Sequence, residues 1–478
     1  MKTAIVWFRR DLRLTDNPAL EAALGQFENV VALYIHAPDE EAPWAPGAAS
    51  RWWLHHSLAA LSESLAARGG RLRLERGDSG QVLLQVARQT GAQAVFWNRL
   101  YEPALVRRDT AIKQLLTESG LQATSCNGAL LFEPWTVKTG GGGPYKVFTP
   151  FWRSCQRDLS ALVAPRPAPT RLSCTSDGGG IELQALELLP RIRWDVGMSR
   201  HWQPGEVGAL ARLDQFVEAA VLRYDEDRNR PDRPGSSRLS PHLHFGELSP
   251  RQALAAASRP DLTGSAGAES FIRELGWREF AHHLLYHFPH TTDAPLDGRF
   301  AGLEWQDDPA ALAAWQRGRT GFPIVDAGMR ELWETGWMHN RVRMIVASLL
   351  TKNLFMRWQD GARWFWDTLV DADLAANTLG WQWTAGCGAD AAPYYRVFNP
   401  VLQAEKFDPE RQYLRRWLPE LAALPDKWLA RPWEAPSEVL GKAGVTLGNQ
   451  YPLPVVDPRG SRDDALRRFE RLKSMSRP

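Results

Sequence analysis

At 478 residues, with 44% apolar and 23% charged side chains, the chain has the composition of a globular protein of two or three domains, which excludes a fibrous or disordered one. A net charge of +2 excludes a global basic excess, so any nucleic-acid footprint must be a local patch. Four cysteines without a CxxC pair point to neither a disulfide framework nor a zinc site, and 22 Trp against 9 Tyr is the outlying count.

The apolar run in MKTAIVWFRRDLR is cut short by Arg9, Arg10 and Asp11, so it does not read as a signal peptide. No run approaches the roughly 18 apolar residues of a membrane span. A soluble, cytoplasmic protein is expected. β-rich runs follow at 4–8, 30–35, 72–74, 94–97 and 121–124, alternating with helical stretches at 18–24, 50–68, 80–90 and 103–119. That alternation predicts an α/β domain over 1–132 with a doubly wound, Rossmann-like parallel sheet. The first strand leads into FRRDLRLTDNP rather than GxGxxG, which argues against a pyrophosphate site at that turn. Over 133–204, GGGGP, PRPAP and DGGG break the pattern and predict a long connector. From 205 to 478 the periodicity is helical almost throughout and predicts an all-α domain. Ser240-Pro241 and Ser249-Pro250 each place an N-cap before a proline at the first helical position.

The helical half holds several polar constellations. Ser236, Ser237, Arg238, Leu239 and Ser240 bring hydroxyls, backbone N–H groups and a guanidinium to a predicted helix start, where unpartnered amides favour an anion. A serine-rich helix entry is the plainer alternative. In FIRELGWREF, Glu274, Trp277 and Arg278 fall at i, i+3 and i+4, so one face carries a carboxylate, an indole and a guanidinium. In GWMHNRVRMIVASLL, Asn340 and Met344 share a face beside Arg341, and the apolar face runs through Val342, Ile345, Val346 and Leu349. His283 and His287 have a helical zinc spacing but lack the HExxH glutamate, and no GxSxG elbow is present. Metal and hydrolase chemistry are not expected.

The stretch 371–383, DADLAANTLGWQW, is too polar for plain core and too apolar for a loop. If 371–378 is helical, Asp373 and Asn377 share a face, which Trp381 continues unless Gly380 ends the helix. Such a strip suits one flat, polar, buried ligand. A helix end with an aromatic anchor is the alternative.

These stretches, with VWFRRDLRLTDNPAL, YKVFTPF, SSRLSPHLHFGELSPR, RTGFPIVDAGMRELWETGWMHNRVRM and DADLAANTLGWQWTAGCGADAAPYYRVFNP, make the chain resemble the photolyase/cryptochrome flavoproteins along nearly its whole length. The resemblance is strongest to the bacterial (class I) cyclobutane pyrimidine dimer photolyases. It implies an antenna domain over 1–132, a surface connector over 133–204 and a helical FAD- and DNA-binding domain over 205–478. Tyr224, Ser236, Ser237, Arg238, Leu239 and Ser240 would hold the phosphates and ribityl chain of a folded FAD. Arg343, Asp371, Ala372 and Asp373 would line the isoalloxazine, and Asn377 would face its N5, where plant photosensors of the family carry aspartate. An arginine and an acid offsetting each other near the ring would favour the anionic reduced flavin.

Trp381, Trp358 and Trp305 match the family's electron-transfer chain. The implied reaction is light-driven: excited FADH⁻ gives an electron to a flipped-out dimer, two bonds split and the electron returns. Glu274 would hydrogen-bond the dimer, and Trp277 and Trp383 would stack on it. Asn340 and Met344 would complete the wall, where (6-4) photolyases typically carry histidine. Arg228, Arg278, Arg341, Arg396 and Gln403 would contact UV-damaged DNA, the arginines through phosphates, so that affinity falls with salt. A monomer, nucleoid-associated when bound to DNA, is expected.

Folate-binding members place an Asn-Glu pair two residues after a matching Tyr-Glu. Here Tyr101-Glu102 is followed by Pro103-Ala104-Leu105, so that contact is missing. PGAASRWWLHHSL still resembles antenna-site sequence, and methenyltetrahydrofolate is favoured over a deazaflavin. The competing readings are a cryptochrome-type blue-light photosensor without repair, a (6-4) photolyase, and a flavin-free protein stacking single-stranded DNA on tryptophan. Asn377, and the short stretch after FERLKSMSRP begins, weigh against the photosensor.

Overall fold

The structure, a computed structural model, describes residues 2–173, 179–391 and 396–475. Cys174, Asp177 of the DGGG stretch, and Tyr394 and Tyr395 of the last motif lie outside them. The apolar runs form strands β1 (Thr3–Phe8), β2 (Asn29–His36), β3 (Leu72–Arg76), β4 (Ala92–Asn98) and β5 (Gln122–Cys126). Helices α1 (Pro18–Leu24), α2 (Ala48–Ala66), α3 (Ser79–Thr90) and α4 (Pro103–Glu118) connect them. The sheet order is β3-β2-β1-β4-β5 and every pairing is parallel, as the alternation predicts. In the centre Ile5 pairs with Val31 on one side and Val95 on the other. All six residues of β1 are buried, which is why TAIVWF reads as a continuous apolar run. Trp7, Leu33, Leu83, Val86, Val95 and Leu116 are part of one core cluster between this sheet and its helices.

The strand order reverses between β1 and β4, where a doubly wound sheet usually opens its ligand crevice. This chain fills that place with its own side chains. The Arg9 guanidinium donates to the Asn98 carbonyl and to Asp109 at 2.8 Å. Asn98 Nδ2 in turn donates to Asp11 Oδ2 at 2.6 Å and Asn17 Oδ1 at 2.8 Å.

The chain divides into two compact units. The first comprises Met1–Leu222, Ser237–Pro289 and Val370–Ala375, and the second Arg223–Ser236, His290–Leu369 and Ala376–Pro478. Within the first, the segment expected as a connector carries two short helices, Phe148–Gln156 and Val196–His201. Phe148, Phe151, Trp152 and Cys155, spaced at i, i+3, i+4 and i+7, bury one face of the former. Tyr145 N–H of the same segment donates to His283 Nε2 at 3.0 Å, and His283 Nδ1 lies 3.2 Å from the Pro134 carbonyl. His287 Nε2 lies 3.0 Å from that same carbonyl, so the helical pair tethers backbone.

The two serine–proline starts differ. Ser249 is the N-cap of the helix Pro250–Ala257 in a full capping box, accepting from Gln252 N–H while Gln252 Oε1 accepts from Ser249 N–H. Ser240 is not an N-cap: it is already the first residue of the short helix Ser240–His244, and Leu239 occupies the cap position. The second unit is helical. It includes Pro323–Thr335, Asn340–Ser348 with a π-helical turn Leu349–Asn353, Trp358–Thr368 and Pro400–Phe407. Ser249 Oγ also donates to Asp16 at 2.5 Å. Ser249→Ala should therefore lower stability by at least about 1 kcal/mol, read as a shifted urea midpoint at unchanged m-value.

Candidate functional site

In the stretch 371–383 the helix runs from Leu374 to Ala385. Asp371 to Asp373 lie outside it, so Asp373 and Asn377 do not share a helical face. Asp373, just before the helix, instead turns its carboxylate toward two histidines distant in sequence. Gly380 does not end the helix either. Gly386, at φ +87°, takes the left-handed position, and its N–H donates to the Gln382 carbonyl at 3.0 Å. Asn377 and Trp381 remain one turn apart, as expected.

Asp373 is the centre of the polar cluster in the first unit. Its Oδ2 lies 3.5 Å from His244 Nδ1 and 3.5 Å from His282 Nε2. Burial alone would raise this carboxyl, yet His282, His244 and Arg278 hold it well below the usual carboxylate range. Asp373 also acts on Arg10, which is paired with Glu102 at 2.6 Å and Glu41 at 3.5 Å. Asp371 and Ala372 beside it are buried. At the entry to Ser240–His244, Ser237 Oγ accepts from Leu239 N–H at 3.4 Å. Arg238 sits at φ +54° with its guanidinium 5.4 Å from the Trp202 ring.

Helix Ala266–His287 carries Glu274, Trp277 and Arg278. Trp277 stacks on Phe148 with 3.7 Å between centroids and 7° between planes, so one indole face is covered from within this unit. Arg278 donates to the Ala129 carbonyl at 2.7 Å and lies 3.7 Å from Glu279, whose carboxyl burial pushes up to about 7. Glu274 is half-buried one turn before Arg278. Tyr101 donates to Glu133 at 2.8 Å and Glu102 pairs with Arg10 at 2.6 Å, so both side chains are engaged within the protein.

In the second unit, Asn377 Nδ2 donates to the Ala362 carbonyl at 3.0 Å, leaving the amide oxygen as the atom to present to a ligand. Trp381 is buried against Phe365 at 5.1 Å and Trp315 at 6.1 Å. A Cβ on Gly361 would lie 2.1 Å from its ring. Trp358 is buried, and Trp305 is half-buried 5.2 Å from Phe355. Trp383 is half-buried, while Gln382 between the two tryptophans donates to the carbonyls of Thr291 at 2.6 Å and Ala294 at 2.8 Å.

Asn340, exposed, and Met344, half-buried, lie on helix Asn340–Ser348 with Arg341 and Arg343. Arg343 Nε donates to the Met338 carbonyl at 2.8 Å. Arg341 donates to Asn229 at 2.6 Å and lies 4.5 Å over Phe407; burial, then Arg228 and Arg396, lower its pKa. Those three guanidinium groups thus form one electropositive cluster. Arg396 is exposed, Gln403 half-buried on Pro400–Phe407, Ser236 half-buried, and Tyr224 buried under Arg228 at 5.6 Å.

Family models match both halves of the chain: one described as the FAD binding domain of DNA photolyase over residues 271–471, the other as DNA photolyase over 4–170. A deoxyribodipyrimidine photo-lyase of Agrobacterium fabrum is 48% identical, with 99% of both chains covered. The chain belongs to the photolyase/cryptochrome family. Cryptochrome-2 of Arabidopsis thaliana is 40% identical over 99% of this chain and 79% of its own length. A solved structure described as a bacterial class III photolyase from Agrobacterium tumefaciens superposes with TM-score 0.95 at 46% identity, covering 99% of this chain and 98% of the other. The expected fold, an α/β domain followed by a helical FAD-binding domain, is that of these relatives. On these likenesses the chain is an enzyme, a lyase of the photolyase type.

FAD is the cofactor this family model implies, and the residues present fit it. Ser237, Arg238 and Ser240 offer hydroxyls and a guanidinium suited to a diphosphate, Asp373 an ionised carboxylate suited to a ring N–H, and Asn377 a fixed acceptor. The sequence reading missed His244, His282 and Arg10 as partners of Asp373. His244 stands in SPHLHFGE and His282 beside His283, but the spacing read for a metal is that of His283 and His287. Gly361→Ala should cost about 1–3 kcal/mol by overpacking against Trp381, measured by urea denaturation with a change in tryptophan near-UV dichroism.

Proposed function

We propose that the protein repairs cyclobutane pyrimidine dimers in DNA by light, using FAD. The observation that carries this reading is Asn377, whose amide nitrogen donates to the Ala362 carbonyl at 3.0 Å and so leaves the oxygen for a ligand; the family motif assigns this residue to the flavin N5. FAD when bound supplies light absorption and an excited one-electron donor. Tyr224, Ser236 to Ser240, Arg343 and Asp371 to Asp373 hold and orient it. Trp305, Trp358 and Trp381 conduct an electron inward from the half-buried ring. Arg228, Arg341 and Arg396, with Gln403, grip the backbone flanking the flipped lesion, while Arg278 sits by the Ala129 carbonyl. Glu274 hydrogen-bonds the dimer, Trp277 offers it the face that Phe148 leaves open, and Trp383, Asn340 and Met344 complete the wall.

The domains we assign are antenna 1–132, connector 133–204 and catalytic 205–478. Between classes, the Agrobacterium neighbour favours class III over the class I of the sequence reading. Methenyltetrahydrofolate is the proposed antenna chromophore, held by residues other than Tyr101 and Glu102; an absorbance spectrum of the purified protein tests it. We assign a cytoplasmic monomer that joins the nucleoid through DNA. No helix among the described residues is long and apolar enough to cross a membrane.

Reduced protein under blue light should remove dimers from a dimer-bearing oligonucleotide. No light-dependent loss would overturn the repair reading and favour the cryptochrome one. Trp381→Phe should slow photoreduction of oxidised flavin yet retain repair once the flavin is pre-reduced. Arg341→Ala should weaken DNA binding and make the slope of log K against log salt shallower by about 0.9.

A further inference from the structure

The His282 ring stands between two oxygens, the Arg278 carbonyl and the Asp373 carboxylate. The ring is buried, with Nδ1 3.0 Å from the Arg278 carbonyl oxygen and Nε2 3.5 Å from Asp373 Oδ2. A carbonyl only accepts, and so does an ionised carboxylate. Each neutral tautomer therefore sets a ring lone pair against an oxygen, and only the doubly protonated ring donates on both sides. His244 does not resolve this, because its Nδ1 lies 3.5 Å from the same Oδ2 and does not reach the His282 ring.

The charged groups acting on the site come from every element around it. Asp373 precedes the helix Leu374–Ala385, His244 ends its short helix, and Arg278 lies one turn back on the helix of His282. Glu102 stands at the start of α4, paired with Arg10 after β1, and Glu41 joins them. Burial, with Arg278, outweighs Asp373 and Glu102 and lowers the pKa of His282 below its ordinary value, so the ring is neutral until further negative charge is added. Opposing influences of this kind leave a ring that one added negative charge nearby can tip.

We propose that His282 is a positioning residue of the flavin cradle, which takes a proton from solvent when bound FAD is reduced and donates it in a hydrogen bond to Asp373. This rests on the FAD reading above. Two electrons pass from an added dithionite-class reductant, itself oxidised to sulfite, to each FAD; one solvent proton forms a new N–H bond on the Nε2 lone pair, and no bond between heavy atoms of the protein changes. The new N–H···O contact fixes the carboxylate while the imidazolium offsets the charge gained.

The pH dependence of the reduction midpoint of the holoenzyme counts protons taken up per FAD. Between about pH 6 and 8 the native protein should take up about one more than His282→Gln, whose amide can donate to Asp373 but cannot titrate. Equal counts would overturn the proposal, as would a variant that only loses FAD content while its remaining bound FAD shows the native count. If the variant binds no FAD, ¹⁵N-histidine spectra of the native holoenzyme decide. One ring must pass from singly to doubly protonated on reduction, and no such change refutes the assignment. A native preparation that binds no FAD would refute the flavin reading itself, which separates the two failures.

Discussion

An ionised carboxylate inside a protein is the most demanding feature of this chain, and Asp373 carries it. Removing such a group from water costs several kcal/mol unless partners replace its hydration. Here the partners come from distant parts of the sequence: His244 from the SPHLHFGE segment, His282 and Arg278 from a long helix, and Arg10 from the turn after β1. Their convergence depends on the backbone packing around them. Gly246 illustrates it, because at φ +64° a Cβ there would lie 2.2 Å from the Arg10 carbonyl oxygen. Only glycine lets the segment that supplies His244 pass so close to the turn that supplies Arg10. Sheet, turn and cradle are therefore one packing problem.

That dependence explains what could be read from sequence. The five strands and first four helices were legible because the runs alternate, and because β1, β2 and β4, buried along nearly their whole length, read as continuous apolar stretches. The helix bearing Asn377 and Trp381 was legible too. Its first residues were not, because Asp373 leaves the helix to reach side chains more than ninety residues away. Local spacing at i and i+4 cannot register a pull of that range. Ser240 failed similarly: Ser-Pro is a good N-cap signature, but Leu239 holds the cap position. Ser249, where the next turn supplies Gln252, obeys the rule in full.

The histidines mark another boundary of sequence reading. His283 and His287 share a helical face and look like ligands, yet their nitrogens meet the backbone of Pro134 and Tyr145. Accepting from Tyr145 N–H requires a bare Nε2, so His283 is neutral with its proton on Nδ1. Burial agrees, pressing its pKa down to about 4. His282, the adjacent residue, turns away from this backbone toward a carboxylate. Two neighbouring imidazoles on one helix thus face different partners, backbone for His283 and a carboxylate for His282, which residue type and spacing do not encode.

The arginines show the same separation by environment. Burial, then Arg228 and Arg396, weaken the hold of Arg341 on its proton, so the folded second unit carries a repulsion that a phosphate backbone would relieve. Relief of that repulsion adds to whatever direct contacts the three side chains make. Arg278 differs, for it already donates to the Ala129 carbonyl and helps keep Asp373 ionised. Drawing it onto a phosphate would leave a partly buried carbonyl short of a donor and weaken the hold on the carboxylate. Four arginines that look equivalent in sequence therefore divide by physical setting, three suited to a polyanion and one tied to the charge balance of the cradle.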